Sequence, residues 1–262
     1  MSAAHIEAKG VSKVFGTSVV ALQDINLEIP RGQFVCLLGP SGCGKSTLLN
    51  AIAGFAPPTR GSIIADGKAV AGPGPERGMV FQEYALFPWM TVADNVAFGL
   101  EIKGMPKADI AATVDRLLKT LSLHDFRQRF PKDLSGGMRQ RVAIARVLAL
   151  DSPIMLMDEP FGALDALTRR DLQDELLRIW EEQKKTIIFV THSIEEAIYL
   201  ADRIVVMTYR PGTVKRDILV DLPRLRDPSA PEFNALKREL GQLVMEEQQR
   251  HHNDELRAAA VD

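Results

Sequence analysis

Five apolar residues, Phe34-Val35-Cys36-Leu37-Leu38, run straight into Gly39-Pro40-Ser41-Gly42-Cys43-Gly44-Lys45-Ser46, and the helix-like stretch STLLNAIAG follows. A short, unbroken apolar run reads as a strand buried on both faces, as in a parallel sheet. Strand, glycine-rich loop and helix in that order confine the chain to an α/β fold with the loop at a carboxyl end of the sheet, where such sheets bind ligands. Glycine, four residues, then Gly-Lys-Ser is also a phosphate-cradling pattern. The glycines let backbone N–H groups turn inward, the helix start adds its dipole, Lys45 reaches the β- and γ-phosphates, and Ser46 can hold Mg²⁺. Residues Gly39 to Thr47 are therefore the candidate nucleotide cradle. A plain glycine-rich turn before a helix is the alternative, and it has no need of Lys45.

Further buried strands are expected at Ile154–Met157, Ile187–Val190 and Ile204–Met207. Polar residues follow two of them: Asp158-Glu159 and Thr191-His192. Together with the glycine loop, these endings can converge on one crevice although they lie far apart in sequence. The first thirty residues alternate apolar and polar side chains on either side of Gly16-Thr17, which predicts an antiparallel edge layer. From about Glu83 to Leu150 the periodicity is helical, with Ile110, Val114, Leu117, Leu118 and Leu121 on one face. After Val220 a proline-punctuated segment leads to a final helix with an apolar stripe at Phe233, Leu236, Leu240, Leu243 and Val244. That helix packs on its own domain or serves a partner. The expected architecture is an α/β P-loop NTPase with a mostly parallel core sheet, an N-terminal antiparallel β subdomain and a helical insert at about 83–150. Residues 1–220 form the catalytic domain, and residues 221–262 a linker and helical tail.

Composition narrows the partners. The 32 Lys and Arg against 34 Asp and Glu leave a net charge of -2, which offers nucleic acid and anionic lipid no electrostatic hold. The N-terminus lacks a basic start followed by an apolar run, and no stretch reaches the roughly 18 apolar residues of a spanning helix, so the chain is expected to be soluble and unexported. Cys36 and Cys43 read as free thiols. Cys43, near a helix start, has either a lowered pKa or the bland role of a loop filler.

Asp158 at the end of an apolar strand needs compensation, for which Mg²⁺ bound through water is the natural partner. Glu159 can then orient and polarise a water attacking the γ-phosphate. Alone, the pair could be an ordinary strand terminus; the Lys45 loop gives it chemistry. A second anion-directed helix start is expected at Leu134-Ser135-Gly136-Gly137-Met138-Arg139-Gln140-Arg141, with Ser135 as N-cap and the two glycines leaving first-turn N–H groups open. With one phosphate cradle already assigned, this start makes sense if it reaches a γ-phosphate held by a facing copy. A simple capped helix is the alternative.

LSGGMRQR, taken with GPSGCGKS, IMLMDEP, Gln82, GALD and His192, resembles the ATP-binding subunit of the ABC transporter superfamily over about Ile6 to Val220. The resemblance implies that Phe15 stacks on adenine, although a tyrosine is commoner there and a core phenylalanine is the alternative. It further implies that Gln82 contacts Mg²⁺ and the water, that Asp165 links two sites across a homodimer, and that His192 contacts the γ-phosphate rather than being an ordinary polar residue. The resemblance also implies that, with ATP and Mg²⁺, two copies close over nucleotide and drive separate integral-membrane permease subunits from the cytoplasmic face of the inner membrane. The apolar segment Tyr84 to Trp89 lies where the family receives a short helix of the permease; core packing of Phe87 and Trp89 is the other reading. LFPWMTVADNV, MTYRPGTV and LPRLRDPSAPEF are similar to importers for nitrate, sulfonates and taurine, which imply an external substrate-binding protein. The rival of another class is a soluble ABC ATPase acting on nucleic acid or ribosomes, but the long coiled-coil inserts, tandem domains and basic stretches usual there are missing from this sequence.

Overall fold

The computed structural model describes residues 4–259, with side chains to residue 252. In chain order the elements begin with β1 (Ala4–Phe15), β2 (Val19–Pro30), β3 (Phe34–Leu38), α1 (Lys45–Ala53), β4 (Arg60–Ala65), β5 (Lys68–Ala69) and β6 (Arg77–Val80). Then come α2 (Val92–Ile102), α3 (Lys107–Thr120), α4 (Gly136–Ala149), β7 (Ile154–Asp158) and α5 (Ala166–Gln183). The chain closes with β8 (Thr186–Thr191), α6 (Ile194–Leu200), β9 (Arg203–Met207), β10 (Val214–Leu219) and α7 (Pro231–Ala259). These fall into two compact units, one running up to Pro73 and resuming at Thr186, the other spanning Gly74–Lys185.

In the first unit β3 lies between two parallel neighbours, paired with β8 from Phe34↔Ile187 to Leu38↔Thr191 and with β9 from Val35↔Arg203 to Leu38↔Val206. Every residue of β3 and β8 is buried, which is why these runs carry no polar alternation. β10 adds an antiparallel edge to β9. The expected antiparallel layer is a four-stranded sheet of order β2-β1-β4-β5. Its strands β4 and β5 escaped the sequence reading, because RGSIIA opens on Arg and Gly and a two-residue strand has no period to detect.

The end of the chain is bound to this unit. In α7 the side chains of Phe233, Leu240 and Val244 are buried, those of Leu236 and Leu243 half-buried, and the helix packs on α6 and β9. The linker before it is tied to the same unit. Arg226, only 4% exposed, donates to the carbonyls of Ile198, Ala201 and Val220, so it satisfies the open end of α6. Burial and the neighbouring Arg224 lower its pKa to about 10.

In the second unit β6 and β7 pair in parallel from Arg77↔Ile154 to Val80↔Met157. The helices expected between about residues 83 and 150 are α2, α3 and α4. Ile110, Val114, Leu117 and Leu118 are the buried face of α3, and Leu121, just past its end, is buried with them. Among the described residues no helix is long and apolar enough to cross a membrane.

Candidate functional site

In the first unit the glycine loop and His192 stand at the carboxyl ends of neighbouring strands, since Leu38 and Thr191 are paired. Gly44 has φ +97°, and a Cβ there would meet Leu22 Cδ2 at 2.7 Å and the Ala21 carbonyl oxygen at 2.9 Å, so both backbone and space demand glycine. It is the N-cap of α1 and supplies no side-chain cap, which leaves the positive end of the helix dipole uncovered by a side chain. Lys45, 4% exposed, donates from Nζ to the carbonyls of Gly39 (2.8 Å) and Pro40 (3.0 Å). A buried ammonium requires such partners, and these hold it against the loop. Cys43 is buried beside it, with Sγ 3.8 Å from Nζ. Burial pushes the Cys43 thiol up, and the Lys45 charge offsets only part of this, so of the two readings of Cys43 the enclosed loop filler is the one that fits.

His192 is exposed on a loop that is secured on both sides. Thr191 donates from its hydroxyl to the buried Glu196 carboxylate and accepts from the Ser193 N–H at 3.0 Å. Ser193 in turn caps α6, accepting from the Glu196 N–H at 3.3 Å. Phe15, at the end of β1, is 45% exposed with Lys13 Nζ 5.4 Å from its ring centroid, so it is not a core residue.

The second unit gathers the remaining candidates. Gln82 and Asp158-Glu159 follow the paired residues Val80 and Met157 at the carboxyl ends of β6 and β7. Gln82 is exposed; Asp158 and Glu159 are half-buried. Glu159 has φ +43°, a backbone state that costs a non-glycine residue roughly 1–3 kcal/mol and recurs at functional sites. Ser135 caps α4, accepting from the Met138 N–H at 3.3 Å. Asp165 caps α5, accepting from the Thr168 N–H at 3.0 Å, and this bond holds its carboxyl below the ordinary range. Thr168 joins the two caps: a Cβ on Gly137 would meet Thr168 Cγ2 at 2.5 Å. The second glycine of the pair thus serves close packing of α4 on α5 as well as an open helix start.

A family model described as ABC transporter matches residues 22–162. The taurine import ATP-binding protein of Roseobacter denitrificans is 49% identical over 242 residues, covering 89% of this chain and 90% of the relative. The chain belongs to the ABC transporter family. The nitrate import ATP-binding protein of a Synechocystis strain is 47% identical over 238 residues, 90% of each chain. A dimeric ATP-binding cassette solved in a post-hydrolysis state with ADP and Pi superposes with a TM-score of 0.74 at 35% identity, over 83% of this chain and all of that one. The cassette is accordingly an ATPase with the P-loop NTPase fold.

Within the cassette three positioning residues escaped the sequence reading. Asn95, fully buried, accepts from the Phe87 N–H (2.9 Å) and donates to the carbonyls of Phe87, Met90 and Thr91, fixing the apolar segment as a shaped loop. Arg146 donates to the carbonyls of Ala85 (2.7 Å) and Tyr84 (3.3 Å), two residues with positive φ, and lies over the Phe87 ring. On that loop the half-buried Phe87 packs against Phe98 at 4.5 Å between ring centroids, whereas Trp89 is 71% exposed and so is not a core residue. Beside the loop lies an open cleft of 580 Å³, lined in part by Gln82, Tyr84, Leu86 and Arg139. The third is Glu196. An asparagine or glutamate inside a helix carries no local mark of such work, because each partner is set by tertiary packing.

Proposed function

We propose that this cassette is the ATP-hydrolysing subunit of an importer for a small anion such as nitrate, taurine or another sulfonate. Two copies act on integral-membrane permease subunits at the cytoplasmic face of the inner membrane, and an external binding protein delivers the substrate. The observation that carries the reading is the buried Lys45 ammonium, held by loop carbonyls beneath a helix start that no side chain caps. Such a group gains a better partner when phosphate oxygens arrive. The substrate class rests on relatives named for taurine and nitrate import.

In this mechanism Gly39 to Thr47 wrap the phosphates and Phe15 stacks on adenine. Ser46, Gln82 and Asp158 offer hydroxyl, amide and carboxylate oxygens, the hard donors that suit Mg²⁺, an ion that keeps several waters and needs few protein ligands. An ion held by these three residues would supply positive charge against the β- and γ-phosphates. Glu159 orients the attacking water, and His192 holds the γ-phosphate. Ser135, Gly136 and Gly137 cover the nucleotide on the facing copy, and Asp165 links the two sites. Loss of the γ-phosphate removes the bridge between copies, and their parting is the motion the permease uses.

MgATP hydrolysis and ATP-dependent dimerisation, followed in wild type, Lys45→Ala and Glu159→Gln, test this. Hydrolysis lost in both variants with a stable dimer in Glu159→Gln alone supports it; equal turnover in all three overturns the catalytic assignment. Stimulation of the assembled transporter's ATPase by binding protein loaded with taurine or nitrate, and not by empty protein, identifies the anion.

A further inference from the structure

The tail helix α7 reaches the phosphate loop through a single turn of chain, Tyr209-Arg210-Pro211-Gly212. Arg210 Nε donates to the Gly42 carbonyl at 3.2 Å. Gly212 lies flush against the next carbonyl: a Cβ there would stand 2.2 Å from the Cys43 oxygen. The turn is anchored from behind by β2, with Gly212 N–H donating to Ala21 O and Gln23 N–H to Gly212 O, both at 3.0 Å. Two consecutive carbonyls of the cradle therefore face this turn. In a trans peptide the carbonyl and the following N–H point in opposite directions, so holding Gly42 O from outside sets the Cys43 N–H, which closes on Pro40 O at 3.4 Å.

The turn is itself gripped by α7. Glu247, 4% exposed, accepts the Tyr209 N–H at 2.9 Å, and its other oxygen accepts from Lys215 Nζ at 2.7 Å. One helical turn on, His251 stacks on the Tyr209 ring at 3.9 Å between centroids. The same Lys215 also donates to Leu243 O at 3.1 Å and Glu246 Oε2 at 2.7 Å, so α7 is fixed to β10 where it meets the turn. A purely structural tail requires burial of Phe233 and Leu240; it does not require a buried carboxylate spent on a backbone N–H beside the cradle.

We propose that Arg210 is a positioning residue for the phosphate loop, set in place by α7 through Glu247 and His251, so that the tail tunes nucleotide affinity. This rests on the reading of Gly39 to Thr47 as the ATP cradle. The test is MgATP binding to the full-length chain by calorimetry, alongside kcat and KM, for wild type, Lys45→Ala, Arg210→Ala, Arg210→Lys, Glu247→Ala, His251→Ala and the double variant Arg210→Ala/Glu247→Ala. Loss of one charge-assisted bond predicts a rise of about fivefold or more in Kd and KM for Arg210→Ala with kcat retained. Lysine restores most of the affinity. Glu247→Ala weakens binding in the same direction, and the double variant is no weaker than Arg210→Ala alone, since both act on one contact. His251→Ala, which leaves the Lys215 pair intact, reports on the tail if Glu247→Ala fails to fold. Wild-type affinity in Arg210→Ala, or additive losses in the double variant, overturns the proposal while Lys45-dependent binding leaves the cradle standing. No binding by wild type overturns both.

Discussion

Gly44→Ala places a methyl group against Leu22 and the Ala21 carbonyl in a left-handed backbone. The backbone state alone costs about 1–2 kcal/mol, and the clash adds to it. The variant should lose MgATP binding and melt several degrees lower, by calorimetry and thermal denaturation, whereas alanine at Gly16, where a Cβ meets nothing within 4 Å, bears the left-handed cost alone and leaves binding intact. The two thiols behave alike for one reason. Burial raises Cys43 and raises Cys36 well above the ordinary range, so both are neutral at pH 7 and enclosed. Mass spectrometry after brief N-ethylmaleimide treatment should find neither modified in the native chain and both modified in urea; rapid native labelling of Cys43 would contradict the packing around Lys45.

An element can hold a site without touching it. α7 buries Leu240 completely, and truncating a buried leucine costs roughly 2–5 kcal/mol. Leu240→Ala should lower the unfolding free energy by that amount, read from the fall in urea midpoint followed by circular dichroism. The grip of α7 on the turn has its own pH range. Burial pushes the Glu247 carboxyl up, but the Lys215 and Tyr209 hydrogen bonds outweigh it and leave it below the ordinary value. A depressed carboxyl contributes its full stabilisation above the unfolded pKa, and the contribution disappears as pH falls through the folded one. Proteolysis of the tail, tested with an acid-active protease, should therefore stay slow at about pH 6 and accelerate only below about pH 4. Release near pH 6 would point to a group other than Glu247, since the Lys215 ammonium that holds it is raised above its ordinary value and keeps its charge there.

At the scale of the whole molecule the candidate residues divide between two units, with the Lys45 cradle and His192 on one and Ser135, Asp158 and Glu159 on the other. If Ser135 serves the facing copy, defects in Lys45 and Ser135 should complement each other. Ser135→Asp keeps a good N-cap while presenting a negative charge to the phosphate. Alone, Lys45→Ala and Ser135→Asp should each be inactive. Mixed in equal amounts they pair at random, and about a quarter of the sites regain both an intact cradle and an intact cover. Recovery of ATPase on mixing is the measurement; a mixture as inactive as its parts would place both groups in one copy.

The sequence by itself determined the strands buried on both faces and the residues at their ends. Phe34–Leu38, Ile154–Met157, Ile187–Val190 and Ile204–Met207 leave no polar alternation, and whatever follows such a strand is carried to the carboxyl edge of a sheet. The glycine-Lys45 pattern and the α3 stripe were equally local signals. Tertiary structure alone decided the pairing of β3 with the distant strands β8 and β9, the weak strands β4 and β5, the buried state of Cys43, and the work of Asn95, Arg146, Glu196, Arg226 and Glu247. Those polar residues look like any solvated helix or loop position in the chain. Their partners are backbone groups supplied by distant packing, and a hydrogen bond that depends on where another segment lies leaves no period or spacing in the sequence.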